Sequence, residues 1–208
     1  MKKIAYLIIL IVFLIFVSMN ITKLQNQELI IRQNDLLIKQ QEQDEQKKEI
    51  KIETNLIMKS KFDKIYESKI WGPEGHGSGP GSTIEFTTNC RNIVYNLVKK
   101  YKINSILDAP CGAMAWMPLL LRNLTQQITN FKYHGIDVVE SVIDSLKIKY
   151  NNETNWLFSL HDVTRQPLPP NYDLITSRDA LQHLPLDYCV DALKAYSRTI
   201  GARWYNWC

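Results

Sequence analysis

The fold turns on one stretch, "SILDAPCGAMAWM", Ser105 to Met117. Ser105–Ala109 reads as a short buried strand closing on an acidic residue, Pro110-Cys111-Gly112 as a turn, and Met114–Gln127 as a helix. Outward from it the alternation repeats. Phe131–Val139 reads as a strand and Glu140–Tyr150 as a helix, Trp156–Leu160 and Tyr172–Thr176 as two more strands, and Leu186–Ile200 as a helix. Strands alternating with helices imply right-handed crossovers, so the expected fold is α/β, a mostly parallel sheet with helices on both faces. Ligands in such sheets bind beyond the carboxyl ends of the strands, where the winding reverses.

That rule gives three acidic residues a common address. Asp108 ends the first strand, and Gly112 lies in the turn where backbone must approach a ligand. Asp137, in "YHGIDVVES", ends the second strand, where a carboxylate accepts both hydroxyls of a ribose. Asp162, in "FSLHDVTRQPLP", ends the third, placed to meet an adenine amino group. Each alone reads as readily as a helix cap or solvated turn. Three at successive strand ends point to a nucleoside.

The whole chain is uneven. It has 208 residues, net charge +4, 45% apolar and 22% charged, ordinary totals that conceal three textures. Residues 1–22 are membrane-like, 23–69 polar, and 70–208 globular, enough for one domain. Between Lys3 and Lys23 lie 19 uncharged residues. They would make about 28 Å of helix, close to a bilayer core. Lys2 and Lys3 keep the N-terminus cytosolic, so a single-pass signal-anchor is expected, with the domain in the secretory lumen or outside the cell. A cleaved signal peptide is the alternative, against which the run is long and "FVSMN" is a poor cleavage site. Sequons at Asn20, Asn123 and Asn152 lend weak support to that topology. Four cysteines allow three complete pairings, between which sequence does not choose, and no Cys/His spacing suggests a metal site. The slight positive charge comes without an aromatic-arginine platform, which argues against nucleic acid as a partner.

The polar segment 23–69 favours helix and lacks Pro and Gly. Ile30 and Leu37, like Ile31 and Ile38, stand seven apart, but "KQQEQDEQKKE" (39–49) has no apolar residue. It reads as a solvated spacer or, more sharply, as a short coiled coil that makes a homodimer. "WGPEGHGSGPGST" (71–83) then gathers five of the eight glycines. It is either a hinge or a loop bringing backbone N–H groups to a ligand. Ser82 or Thr83 is the expected N-cap of a helix running through "IEFTTNCRNIVYNLVKKYK", with Ile93, Val94, Leu97 and Val98 at core spacing.

"ILDAPCGAMAWM", "YHGIDVVES", "HDVTRQPLPPNYDLITSRDALQHLP" and "LKAYSRTIGARW" together resemble the class I S-adenosylmethionine-dependent methyltransferases. The likeness is to the subgroup with Leu-Asp-x-Pro-Cys-Gly and Arg-Asp-x-Leu-x-His-Leu motifs, and it covers roughly residues 70–205. The glycine-rich loop also resembles a segment that precedes the first motif there. The resemblance implies a Rossmann-like sheet, S-adenosyl-L-methionine as cofactor, and an unnamed methyl acceptor. It implies that Asp108 organises the first loop near the methionine amino group, while Pro110, Cys111 and Gly112 shape the backbone around the cofactor. Asp137 would hold the ribose, with His161 and Asp162 beside the adenine. Arg178, Asp179 and His183 would face the methionine end and the acceptor. Met114 and Trp116 stand where smaller residues are usual, and would narrow the pocket.

For methyl transfer, His183 is the expected base, since an imidazole titrates near neutrality, and Asp179 would orient it or cap the following helix. His183 reads equally as a packed histidine at a helix start. Cys111 lacks a base partner and is not expected to act as a nucleophile. The family would continue beyond "RWYNWC" with further strands, so the sheet is expected to be incomplete and activity compromised. A non-catalytic, membrane-tethered scaffold is the alternative. A nicotinamide-dependent oxidoreductase is a distant third, because G-x-G-x-x-G is missing after the first strand.

Overall fold

The computed structural model describes residues 2–199 and 203–207; the side chains of 1–17, of several residues between 20 and 56, and of 203–207 lie outside the description. Contacts divide the chain into two compact units, residues 1–56 and 57–208. Helix α1, Lys2–Glu67, makes up the first and enters the second. In the first unit Leu29, Ile30, Leu36, Leu37 and Ile38 are exposed. Among the described residues no helix is long and apolar enough to cross a membrane. The anchor expected at 1–22 falls almost wholly on side chains outside them.

In the second unit, two short 3-10 turns, Glu74–Gly77 and Pro80–Ser82, lead to α2, Thr88–Tyr101. Then come β1 (Ser105–Asp108), α3 (Met117–Gln127), β2 (Lys132–Asp137), α4 (Glu140–Lys149) and β3 (Trp156–Leu160). β4 (Leu174–Arg178), a 3-10 turn at Leu181–His183, α5 (Leu186–Arg198) and β5 (Arg203–Trp207) complete the order. All strands pair in parallel, in the order β3-β2-β1-β4-β5. The winding therefore reverses between β1 and β4, and that is where such a sheet offers a crevice. The fold is the mostly parallel sheet that the alternation of elements predicts, and it is Rossmann-like, as the resemblance implies.

Strand periodicity sorts the core into two sides. Ile106, Tyr133, Trp156, Phe158 and Leu174 pack with α2, α3 and α4 through Val94, Val98, Leu121, Leu124, Ile143 and Leu146. Leu107, Ala109, Ile136 and Ile175 pack with Ala192 and Tyr196 of α5. β1 is buried at all four positions, as a central parallel strand covered on both faces must be.

Several boundaries differ from the sequence expectation, each for a physical reason. α3 begins at Met117, not Met114, because Pro118 has no N–H to give and is tolerated only in a first turn. β4 runs two residues later than expected, because Asp173 is already held below it: Asp173 Oδ2 accepts hydrogen bonds from Asn104 N (2.8 Å) and Ser105 Oγ (3.0 Å). Neither Ser82 nor Thr83 caps α2. Thr83 Oγ1 accepts from Phe86 N (3.3 Å) in a turn of its own, and the helix starts at Thr88. β5, in the closing segment "RWYNW", pairs with β4 over all five of its residues. Phe62 and Tyr66, read as spacer, pack against the domain core. Cys90, Cys111 and Cys189 are free thiols, and Cys208 lies outside the described residues.

Candidate functional site

The turn after β1 is fixed atom by atom. Ala109 N donates to Thr176 O (2.9 Å), and Tyr196 Oη donates to Ala109 O (2.8 Å). The Ala109–Pro110 peptide is cis. Cys111 N donates to Ile136 O (2.9 Å), and Gly112 N to Asp137 Oδ2 (3.0 Å). Ala113 N donates to Ser78 Oγ (3.2 Å) in the glycine-rich loop. Gly112 adopts φ +53°, a left-handed conformation that side chains resist. A Cβ there would also come within 3.1 Å of Tyr66 Oη, so glycine is required twice over.

A cavity of about 150 Å³ opens over this turn. Every candidate site residue singled out from sequence lines it: Asp108, Pro110, Cys111 and Gly112 from the β1 end, Asp137 from β2, His161 and Asp162 after β3, Arg178 at the end of β4, and Asp179 and His183 after it. Met114 and Trp116 line it as well, yet both are buried and belong to the core, so they serve as its wall.

Asp108 is 4% exposed. Its Oδ2 accepts from Tyr133 Oη (2.9 Å) and its Oδ1 from Thr176 Oγ1 (2.7 Å). Burial pushes the carboxyl up to about 7, against the pull of those two hydroxyls. Both oxygens are thus engaged by neighbouring strands, which makes Asp108 a brace of the rim. Asp137, 5% exposed, accepts from Gly112 N through Oδ2 and from Val139 N through Oδ1 (3.0 Å), and the Val138 N–H also favours its charge. A carboxylate has about four acceptor positions, so Asp137 keeps room for a ligand hydroxyl. Burial raises Asp137 too, while its N–H partners oppose the shift.

Past β3, Asp162 Oδ1 accepts from Thr164 N (2.9 Å) and Thr164 Oγ1 (2.6 Å). His161 N donates to Asp137 O (2.8 Å), but its Nε2 is buried without a hydrogen-bond partner. An orphaned buried nitrogen costs free energy unless a ligand completes it. Burial lowers the His161 imidazole, which favours the neutral ring with one donor and one acceptor. Nearby, His134 bridges Tyr172 Oη (2.8 Å) and Ser159 Oγ (2.7 Å), and burial, then His161, lowers it to about 4.

At the end of β4, Arg178 Nη1 pairs with Asp179 Oδ2 at 2.7 Å, and its guanidinium lies 5.9 Å from the Phe86 ring. Asp179 is therefore a partner of Arg178, and it does not cap α5, whose N-cap is Pro185. The His183 ring stacks on Trp71, centroids 4.8 Å apart and tilted 32°.

Sequence reasoning missed Tyr66, Trp71 and Ser78, which line the same cavity, and Tyr133 and Thr176, which hold Asp108. The signals were faint. Tyr66 and Phe62 are aromatic residues in an otherwise polar segment, and Thr176 stands opposite Asp108 only once the β1–β4 register is known.

Residues 106–201 match the family described as "Methyltransferase domain". No curated protein matches the chain. Among solved structures, the methyltransferase domain of bacterial CtHen1-C is similar at 17% identity, over 54% of this chain and 60% of that one, with a TM-score of 0.46. An S-adenosylmethionine-dependent methyltransferase from Clostridium acetobutylicum is similar at 16% identity, over 56% and 48%, with a TM-score of 0.45. Magnesium protoporphyrin IX methyltransferase from Synechocystis, with bound S-adenosylmethionine, shares 14% identity over 57% and 56%, with a TM-score of 0.45. The chain thus spans less than two thirds of the length of each.

Proposed function

We propose that this chain is an S-adenosyl-L-methionine-dependent methyltransferase. One observation carries the reading. Asp137, held by two backbone N–H groups at the carboxyl edge of the sheet, lines the same cavity as the unpartnered His161 Nε2. The methyltransferase-domain match over 106–201 supports it. The residues fit a nucleoside cofactor: Asp137 has acceptor positions left for ribose hydroxyls, His161 Nε2 lacks a partner, and Gly112 leaves room that a Cβ would fill.

Asp137 holds the ribose, with His161 and Asp162 beside the base. Bound there, the cofactor supplies a methyl group on a sulfonium, transferred by in-line displacement. The chain's own part is alignment and exclusion of water, which shortens the search for a reactive geometry. His183, its ring fixed on Trp71, takes the acceptor's proton, and Asp179 steadies Arg178 at the rim. The test is incubation of the full chain with methyl-labelled cofactor and cell extract. Label should pass to an acceptor with wild type, and at a rate about 100-fold lower with His183→Ala. Equal labelling by both would remove His183 from the chemistry, and none by either would remove the activity.

A further inference from the structure

We infer that the hydroxyls of Tyr66 and Ser78, which precede the matched domain segment, bind the carboxylate at the amino-acid end of S-adenosylmethionine. The inference rests on the function proposed above. A turn that leads into a helix ordinarily offers its N–H groups to an anion. Here three successive ones are taken within the protein: Cys111 N by Ile136 O, Gly112 N by Asp137 Oδ2, and Ala113 N by Ser78 Oγ. Arg178, the cation on the cavity wall, gives Nη1 to Asp179 at 2.7 Å and keeps its other N–H groups as a second source of donors. A carboxylate accepts hydrogen bonds only, so it needs donors that the fold leaves uncommitted over the turn.

The hydroxyl pair supplies one. Tyr66 Oη and Ser78 Oγ lie 3.1 Å apart, and one of them donates to the other. The two carry two hydrogens, and Ser78 Oγ receives the Ala113 N–H besides. Whichever is the donor, one hydroxyl hydrogen stays uncommitted. Both residues line the cavity, and both oxygens stand over the turn, 3.1 and 3.2 Å from where a Cβ on Gly112 would be. Burial, then the charge of Asp137, raises the Tyr66 phenol, which keeps it protonated and a donor. Asp137 and Asp162 are the acceptors on the wall and suit the hydroxyls and amine of the nucleoside. The acceptor-only end of the cofactor then falls to the donor at Tyr66 and Ser78.

The experiment is calorimetry on the full chain with two ligands. One is S-adenosylhomocysteine; the other is its decarboxylated analogue, which keeps nucleoside, sulfur and amine. Tyr66→Phe retains the ring that packs on Trp71 and removes the hydroxyl alone. Ser78→Ala is the second variant. Each should weaken S-adenosylhomocysteine about ten-fold and leave the decarboxylated analogue unchanged. Equal losses for both ligands, or no loss for S-adenosylhomocysteine, would overturn the inference. A wild-type chain that binds neither ligand overturns the proposed function itself, and the inference with it.

Discussion

At the scale of single residues, two buried groups work against each other. Asp108 titrates at about 7 when folded, against an ordinary 3.8, because burial disfavours its charge. Between those values the folded chain keeps a proton that the unfolded chain has released. Stability from this group is fully present below about 3.8 and falls as pH rises toward 7. His134 does the reverse, since it titrates at about 4 folded and 6.5 unfolded, so stability rises with pH across that window. Each slope is about 1.4 kcal/mol per pH unit, and they oppose one another from about pH 4 to 6.5. Asp108→Asn removes the falling slope. Urea unfolding should show this variant gaining about 1.4 kcal/mol on the wild type per pH unit between about pH 4 and 7. A difference that stays constant with pH would show that Asp108 does not hold its proton.

At the scale of elements, the site depends on how closely β2 approaches the turn after β1. Gly135 stands beside Asp108 in register, and a Cβ on it would lie 3.0 Å from Cys111 Cβ, Cys111 Sγ and Tyr133 Oη. Cys111 is pinned through its N–H to Ile136 O, so the contact cannot relax cheaply. Gly135→Ala should destabilise the chain by about 1–3 kcal/mol, read by chemical denaturation. A loss below about 0.5 kcal/mol would mean that the turn yields. The elements themselves were readable from alternation, because each strand of a doubly covered parallel sheet is a short apolar run followed by an amphipathic helix. Their ends were less so. Pro118 carried the start of α3 in plain sight, whereas the later start of β4 depends on Asp173 bonding to Asn104 and Ser105, a contact 68 and 69 residues away in sequence.

At the scale of the molecule, the carboxylates of three strands converge because the winding reverses beside β1, which places Asp108, Asp137 and Asp162 around one cavity. That convergence was legible, since each Asp follows an apolar run and topology does the rest. The roof was not. Tyr66 reaches the cavity from the last turn of a helix read as a spacer, and Trp71 and Ser78 from a loop with no strand or helix pattern to place it; only tertiary packing shows that the second compact unit begins at Ile57. The central claim is that Asp137 and Asp162 grip a nucleoside at a rim braced by Asp108, and Asp137 is its most exacting point. Titrating S-adenosylhomocysteine into the full chain and into Asp137→Ala tests it most directly. The account predicts one saturable site in the wild type and a loss of affinity of about 100-fold or more in the variant. Equal affinity in both, or no binding by the wild type, would contradict it.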